Sequence, residues 1–269
     1  MAVLRGGVRI NSLQNSRVKE VVKLRDRRHR DRTGKFLIEG YRELLRAAEA
    51  GMEIDELFTC PELFLGENEQ QLIESLQAKV HMTCDSTVFQ KMSYRDRPDG
   101  LLAIAPQMNR QLSEITFQST PFIVVAEAIE KPGNLGTILR TCDAVGADAL
   151  LVCDRCTDIH NPNVVRASVG TLFTVPVVEV GNEEAAAWLG AHGILILAAM
   201  PSAKDLYTEV DFTKPVAIAF GTEQYGLSDF WTQRAKHQVR IPMRGQADSL
   251  NVAMSTGVLL YEVLRQRGP

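Results

Sequence analysis

The 269-residue chain lacks several features that would assign it to a cellular location. None of its apolar runs is long enough to span a bilayer. Its first residues, MAVLRGGVRI, lack the apolar stretch of a secretory signal. We therefore predict a cytoplasmic protein that does not bind membranes. Because no acidic residue precedes Glu20, an organelle-targeting segment at the start of the chain stays an alternative.

Cysteines are few, and their number is odd: the five lie at positions 60, 84, 142, 153 and 156. An odd count in a chain without a secretion signal indicates reduced thiols. Cys153 and Cys156 in CDRC lie close to His160 in the sequence, which suggests zinc. A structural zinc site needs a fourth ligand and usually a second paired motif, and neither is adjacent. We therefore predict that the protein binds no metal.

The glycine patterns of common nucleotide-binding proteins are also missing. In PGNLGTILRTCDAVG, residues 132–146, the spacing of Gly133 and Gly136 does not match G-x-G-x-x-G, and no Walker lysine follows. A dinucleotide-dependent oxidoreductase is therefore disfavoured. The stretch instead predicts a helix with one apolar side and, on another side, Arg140 among small residues.

Charge is unevenly distributed, although the net charge is only −3. Residues 1–35 hold 11 basic and 3 acidic residues, whereas the remaining 234 hold 19 and 30. A basic arm on an acidic body is typical of nucleic-acid contact. Within a helix predicted over residues 14–32, RDRRHRDR has no apolar residue, so we expect it to face water or RNA. The candidate RNA-binding residues are Arg25, Arg27, Arg28, Arg30 and Arg32. A solvated charged helix is the alternative.

Two alternating α/β patterns divide the chain into an N-terminal domain (1–106), a polar linker (107–120) and a second domain (121–269). Several predicted strands of the second domain are continuous apolar runs, as in a parallel sheet buried on both faces. These strands are FIVVAEAI, ALLVC, VPVVEV, ILILAAM, VAIAFG and HQVRIPM. Helices are predicted between them at 134–146, 163–170, 183–192, 227–236 and 249–266.

Three segments of the second domain place polar residues among glycines beside the ends of these strands. They are NLGTILRT, GTEQYGLS and IPMRGQADSLN. Ligands bind at the carboxyl ends of strands in open α/β sheets. Turn chemistry explains each segment alone but poorly explains all three together, so we predict a shared binding site. Asp248 or Ser249 is the expected cap of the final helix.

The three segments, in this order, resemble the motifs of the SpoU/TrmH family of RNA ribose 2′-O-methyltransferases over roughly residues 121–269. GKFLIEGYRELLRAAEAG resembles the L30e-like substrate-binding domain of the family's ribosomal-RNA members. The resemblance implies a SPOUT fold with a deep trefoil knot, S-adenosylmethionine as cofactor and a homodimer. Ala253 and Gly257, four residues apart, would give the final helix a small face for close contact in that dimer.

The resemblance also implies roles for single residues. Cofactor contacts fall on Gly221, Ile241, Met243 and Leu250, and the family's polar positions on Asn134, Arg140, Glu223, Ser249 and Asn251. The family assigns the general base to the arginine, which one subunit can supply to the other. Because a guanidinium stays protonated, we expect Arg140 to grip an RNA phosphate and orient the hydroxyl. Glu223 would anchor Arg140 or its own loop.

We therefore predict methyl transfer from S-adenosylmethionine to a ribose 2′-hydroxyl, as a step of rRNA processing. The N-terminal domain favours ribosomal RNA, because transfer-RNA members of the family often lack it. A tRNA ribose 2′-O-methyltransferase is the alternative. A non-catalytic RNA-binding protein is a further one, but such a protein would lack Arg140 or the SLN triplet, and both are present.

Overall fold

A computed structural model describes residues 8–117 and 119–268. Contacts divide the chain into two compact units. The first holds the residues up to Met108 together with Asp158–Thr174, and the second holds Asn109–Thr157 and the residues from Val175 onward. No helix within the described ranges is long and apolar enough to cross a membrane. Residues 1–7, at the start of the segment in which organelle targeting was considered, lie outside the described residues.

The first unit is built on a five-stranded mixed sheet with the order β1-β4-β3-β5-β2. Strands β1, β4 and β3 run parallel, whereas β5 is antiparallel to β3 and to β2. The elements are β1 (Val8–Ile10), α1 (Ser16–Lys23), α2 (Arg27–Thr33), β2 (Lys35–Glu39), α3 (Tyr41–Glu49), β3 (Glu56–Thr59), α4 (Glu69–Ser75), β4 (Val80–Cys84), α5 (Ser86–Met92), β5 (Leu101–Pro106) and, from the distant segment, α7 (Pro162–Ser168). The sequence predicted this alternation but not β1.

The predicted helix over residues 14–32 is instead two short helices. Asn15 caps α1 by accepting a hydrogen bond from the backbone of Arg17, and Asp26 caps α2 by accepting one from the backbone of His29. A side-chain cap competes with continuation of the preceding helix, because it satisfies the free amides of a new first turn. Asp26 therefore divides the basic segment, and Gly34 ends α2 with φ of 63°.

The second unit contains a seven-stranded, fully parallel sheet with the order β10-β12-β9-β11-β6-β7-β8. Its elements are β6 (Phe122–Glu127), α6 (Pro132–Val145), β7 (Ala149–Cys153), β8 (Val177–Val180), α8 (Asn182–Ala191), β9 (Leu195–Ala199), β10 (Asp205–Leu206), β11 (Val216–Phe220), α9 (Asp229–Arg234), β12 (His237–Arg240) and α10 (Val252–Arg267). Every residue of β6, β7 and β11 is buried, as their apolar runs predicted. The two-residue β10 was not predicted. The trefoil knot that the resemblance implies stays a prediction.

Two segments belong to units that the sequence pattern did not indicate. Leu112 and Ile115, in the polar stretch 107–120, are buried in the core of the second unit. Asp158–Thr174 groups with the first unit, although it lies between β7 and β8 in the chain. In that unit α7 packs against β2, and the rings of Phe36 and Phe173 are 6.3 Å apart. Because neither contact is local in sequence, periodicity could not reveal them.

Candidate active site

A cavity of about 500 Å³ lies at the carboxyl ends of three neighbouring strands of the second unit, β9, β11 and β12. Parallel strands bring their carboxyl ends to one edge of the sheet, so the loops that follow them meet there. The cavity lies within the size range of small-molecule sites. Its lining includes Met200, Gly221, Glu223, Ile241, Met243, Ser249 and Leu250. All four residues predicted to contact a cofactor are therefore in the lining, while their role stays a prediction.

Gly221 begins a very tight turn on one side of the cavity. Thr222 and Gly226 exchange two backbone hydrogen bonds of 3.0 Å, and the backbone amide of Tyr225 donates to Oγ1 of Thr222 at 2.8 Å. A Cβ atom on Gly221 would lie 2.1 Å from the carbonyl oxygen of Gly226. No side chain fits there, so glycine is required for this approach of two backbone segments. The turn thus presents backbone to the cavity.

Three polar residues predicted from separate motifs form one hydrogen-bonded cluster. Nδ2 of Asn134 donates to Oε1 of Glu223 at 2.9 Å, and Nδ2 of Asn251 donates to Oδ1 of Asn134 at 3.2 Å. Asn251 also donates to Oε1 of Glu223. The cluster joins the first turn of α6, the loop after β11 and the start of α10. Glu223 therefore anchors its own loop and the two asparagines, not Arg140.

Lys131 completes the cluster from the N-cap position of α6. Its ammonium group pairs with Oε2 of Glu223. The hydrogen bond from Lys131, with those from Asn134 and Asn251, lowers the pKa of Glu223 below its ordinary value. The same pair raises the pKa of Lys131. Glu223 is therefore an ionised acceptor at neutral pH, as its three donors require.

The cap of α10 is Asn251, not Asp248 or Ser249 as expected. Oδ1 of Asn251 accepts from the backbone amide of Ala253 at 3.0 Å, while Nδ2 of the same side chain faces the cluster. Ser249 precedes the helix, is exposed and lines the cavity. Ala253 is only 5% exposed within this chain, so the small face predicted for a dimer contact is partly used internally.

Arg140 lies on α6, two turns beyond the polar cluster, and is exposed. The apolar side of α6 is buried as predicted, and the helix packs against α10. Arg140 makes no side-chain hydrogen bond or ion pair with the residues that the structure describes, and it is absent from the described lining of the cavity. Its guanidinium is thus available to an external anion.

A further hydrogen-bonded cluster, which the sequence analysis missed, is buried and holds the far end of the loop after β11. Glu127, at the end of β6, is 3% exposed. Its carboxylate accepts hydrogen bonds from the backbone and the hydroxyl of Ser228, at 2.8 and 2.6 Å, and from Nδ2 of Asn182 at 3.1 Å. Asn182 in turn accepts from Nε1 of the buried Trp231 at 3.0 Å. A lone acidic residue that ends an apolar strand was the available signal.

The five arginines of the basic segment divide into two groups. Arg30 is only 1% exposed, so the expectation that it faces water or RNA is wrong. Its guanidinium pairs with Asp158 at 2.8 Å and donates to the carbonyls of Leu24 and Arg25. Burial is possible because the pairing and the carbonyls replace hydration.

Arg25 is also used within the first unit, where its Nη2 donates to the carbonyl oxygens of residues 91–93 at the end of α5. Arg28 and Arg32 are exposed, and Arg27 is half-buried beside Asp31. An RNA-binding role therefore stays a prediction for Arg27, Arg28 and Arg32. The sequence could not separate the two groups, because the partner Asp158 is 128 positions from Arg30.

The segment considered for zinc has other contacts. Nε2 of His160 accepts a hydrogen bond from the backbone amide of Met108 at 3.0 Å, and its ring packs on Phe36 at 4.7 Å. Cys153 is buried, and burial raises its pKa to about 12, which disfavours the thiolate that a metal needs. Within residues 8–117 and 119–268, no group of three or more potential ligands is arranged to hold a metal ion.

Two family models match the chain. Residues 121–261 match the SpoU rRNA Methylase family, and residues 15–103 match the MRM3-like substrate binding domain. A 23S rRNA (uridine(2479)-2′-O)-methyltransferase of Streptomyces viridochromogenes is 30% identical over 250 residues, which cover 91% of this chain and 87% of the relative.

Solved structures agree over nearly the whole chain. An RNA 2′-O ribose methyltransferase is 43% identical with a TM-score of 0.85, over 97% of this chain and 99% of that chain. An AdoMet-bound rRNA methyltransferase from Sinorhizobium meliloti is 31% identical with a TM-score of 0.87, over 96% of this chain and 97% of that chain. The predicted α/β architecture with an N-terminal and a parallel-sheet domain is thereby confirmed.

Proposed function

The chain belongs to the SpoU rRNA methylase family, and we propose that it transfers a methyl group from S-adenosylmethionine to a ribose 2′-hydroxyl of ribosomal RNA. Its relatives include RNA 2′-O-methyltransferases, and one solved neighbour holds AdoMet, which is S-adenosylmethionine. The observation that carries the proposal is the meeting of three sequence motifs at one cavity of about 500 Å³.

The residues around this cavity fit S-adenosylmethionine. The adenosine and the methionine chain need apolar contacts together with backbone donors and acceptors, and the lining offers Ile241, Met243 and Leu250 beside the close backbone turn at Gly221. These four residues would hold the cofactor. When bound, S-adenosylmethionine supplies an electrophilic methyl group on a positively charged sulfur.

This chain's residues have the tasks of placing the ribose and managing its proton. The motif segments contain no histidine, which is the commonest general base. Arg140, exposed and without a partner among the described residues, would bind a phosphate next to the target ribose and orient the 2′-hydroxyl. Ser249, beside the cavity, would bind the ribose or the cofactor carboxylate. The Glu223 cluster would keep the loops in the geometry that both tasks need.

We also propose a homodimer. Met254 and Tyr261 on α10 are 62% and 53% exposed, and seven residues place them on one helix face. Large apolar side chains on one exposed stripe favour burial against a second copy. In such a dimer Arg140 of one subunit would serve the cavity of the other, in keeping with its absence from the described lining of its own cavity.

Ribosomal RNA is preferred to transfer RNA as the substrate. Support comes from residues 15–103, which match a substrate-binding domain, and from the rRNA substrates named for the relatives. A tRNA ribose 2′-O-methyltransferase is the second candidate.

A cytoplasmic location stays a prediction, since it follows from the sequence and from the substrate alone.

The proposal is tested with purified protein, methyl-labelled S-adenosylmethionine and unmodified ribosomal or transfer RNA. After digestion to nucleosides, the label is expected in a 2′-O-methylnucleoside from ribosomal RNA. Label in transfer RNA alone would favour the second candidate. Label on a base, or binding of RNA without transfer by the wild-type protein, would contradict the proposed reaction.

A further inference from the structure

A second cavity of similar size, about 510 Å³, lies wholly within the first unit. It is lined by the start of α3, the loop before α4, the loop after α5 and the end of α7. Its charged lining residues are three acids and three arginines. The methyl-transfer reaction does not use this cavity. The kind of ligand that it suits depends on which of the six charged side chains already have partners within the protein.

The three acids are satisfied within the protein. Glu43 pairs with Arg95 at 2.5 Å. Asp99 accepts a hydrogen bond from the backbone amide of Tyr41 at 2.8 Å. Glu69 accepts from the backbone amide of Gly66 at 2.7 Å. Because each carboxylate is matched by a cation or by amides, none of the three needs a cation from a ligand.

Two arginines of the lining remain unmatched. Arg42 and Arg166 are both exposed, and neither makes a side-chain hydrogen bond or ion pair with any residue in the described part of the chain. Their side chains reach the cavity from segments 124 positions apart in the numbering. The three carboxylates are buried and directed to their partners within the protein, so the exposed charged groups of the lining are the guanidinium groups of Arg42 and Arg166, which favour an anionic ligand.

The same cavity offers apolar surface. Leu65 is 82% exposed, the highest exposure among the large apolar residues described, and it lines the cavity together with the half-buried Tyr41. Free guanidinium groups beside an aromatic and an aliphatic side chain suit a ligand that is anionic on one side and flat and apolar on the other. An unstacked nucleotide has this chemistry.

The segment that carries Arg166 is held firmly in an unusual conformation. Val169, also in the lining, has φ of 53°, which is rare for a β-branched residue. Its carbonyl accepts a hydrogen bond from Arg46. A Cβ atom on Gly170 would lie 3.1 Å from atoms of Arg46 and Glu43, so the backbone packs closely on α3. Val169 ends α7, so the chain turns sharply three residues after Arg166 and fixes the end of the helix that carries it.

We propose that this cavity binds one unpaired nucleotide of the RNA substrate. Arg42 and Arg166 bind its phosphate, and Tyr41 and Leu65 contact its base. The inference rests on the proposed function, since it assigns a place on the substrate-binding unit to the RNA. Such a cavity would favour RNA substrates that have a single-stranded loop or bulge near the methylation site.

The test compares the full-length protein with Arg42→Gln, Arg166→Gln and Tyr41→Ala variants in binding to a single-stranded RNA decamer. The arginine variants should each weaken binding about 10-fold at low salt and lower the slope of log affinity against log salt by about 0.7. Tyr41→Ala should also weaken binding about 10-fold, whereas Tyr41→Phe, which keeps the ring, should bind as wild type. With rRNA as substrate, KM should rise while kcat is retained.

Arg97→Gln is the matched control, because Arg97 is exposed in the same unit but lies outside the lining. If Arg97→Gln loses as much RNA affinity as the cavity variants, general surface charge explains the effect and the inference is overturned. Unchanged RNA affinity in all cavity variants would also overturn it. Binding of free UMP that the variants abolish, with decamer affinity unchanged, would assign the cavity to a free nucleotide instead.

S-adenosylmethionine affinity and wild-type methyl transfer keep this result separate from the proposed function. If the wild type methylates ribose but the cavity variants behave normally, only the cavity assignment fails. If the wild type transfers no methyl group to RNA, the proposed function fails whatever the variants do.

Discussion

Nδ2 of Asn251 donates a hydrogen bond to Oδ1 of Asn134 at 3.2 Å, although the two residues are 117 positions apart in the chain. Both side chains also bond to Glu223, so α6, the loop after β11 and α10 are tied at one point. Asn251 caps α10 with its other side-chain atom. A single substitution in this cluster should therefore disturb three motifs together.

The ionisation of Glu223 should appear in the acid dependence of stability. Its pKa lies below the ordinary value of 4.5, mainly because of the hydrogen bond from Lys131. A carboxylate with a lowered pKa stabilises the fold fully above the ordinary value, and this stabilisation is lost as the pH falls through the lowered pKa. The Tm difference between wild type and Glu223→Gln should thus be constant near neutral pH and shrink below pH 4.5.

Glu183→Gln is the control for this measurement, because Glu183 is exposed on α8 and has no side-chain partner in the described chain. It should change Tm much less than Glu223→Gln over the same range, because an exposed first-turn carboxylate interacts only weakly with the helix dipole. A wild-type to Glu223→Gln difference that grows on acidification would contradict the ionised cluster.

Arg140→Ala should abolish methyl transfer yet leave Tm unchanged and S-adenosylmethionine affinity within a few-fold of wild type. The reason is that Arg140 is exposed, has no partner among the described residues and lies outside the described cavity lining. Arg140→Lys keeps the charge but loses the forked donor geometry, so it should also be strongly impaired. Turnover and calorimetric binding measure the two effects. Substantial turnover by Arg140→Ala would remove Arg140 from the mechanism.

The basic segment should respond to substitution in two different ways. Arg30→Gln leaves Asp158 buried and unpaired, which should cost about 3–5 kcal/mol of unfolding free energy. Replacing the exposed Arg28 and Arg32 by glutamine should weaken RNA binding and flatten its salt dependence, with a smaller stability cost that comes from the hydrogen bond of Arg32 to His29. Denaturant unfolding and RNA titration at several salt concentrations separate the effects. An unaltered salt slope would show that the exposed arginines are only solvated.

The sequence could predict some of these features and not others. The order of the strands in the chain, their burial and the three motif loops followed from apolar runs and from glycines beside polar residues. The capping of α10 by Asn251 did not, because Asp248, Ser249 and Asn251 are all capable caps within a stretch of four residues. The Arg30–Asp158 pair and the Glu127 cluster depend on contacts between distant segments, which local patterns do not record.

A fragment of residues 121–269 tests the division of the chain. If residues 121–269 are a separate domain, as the sequence pattern indicates, the fragment should fold alone, dimerise and bind cofactor. The structure leads us to expect otherwise. The fragment keeps residues 158–174 while losing β2, against which α7 packs, so the buried Val165 and Phe173 would be exposed. We expect aggregation or dye binding typical of exposed apolar surface, relieved by adding residues 1–108 in trans. A soluble, cooperatively unfolding fragment that binds S-adenosylmethionine unaided would contradict this expectation.

The central claim is ribose methylation of ribosomal RNA, and mapping of 2′-O-methyl groups in a strain that lacks this protein tests it most directly. Total RNA should lose one 2′-O-methyl group from ribosomal RNA. Expression of the wild-type chain should restore that group, and Arg140→Ala at equal protein level should not. An unchanged pattern of ribose methylation in ribosomal RNA, with a group lost from transfer RNA or from no RNA, would contradict the account.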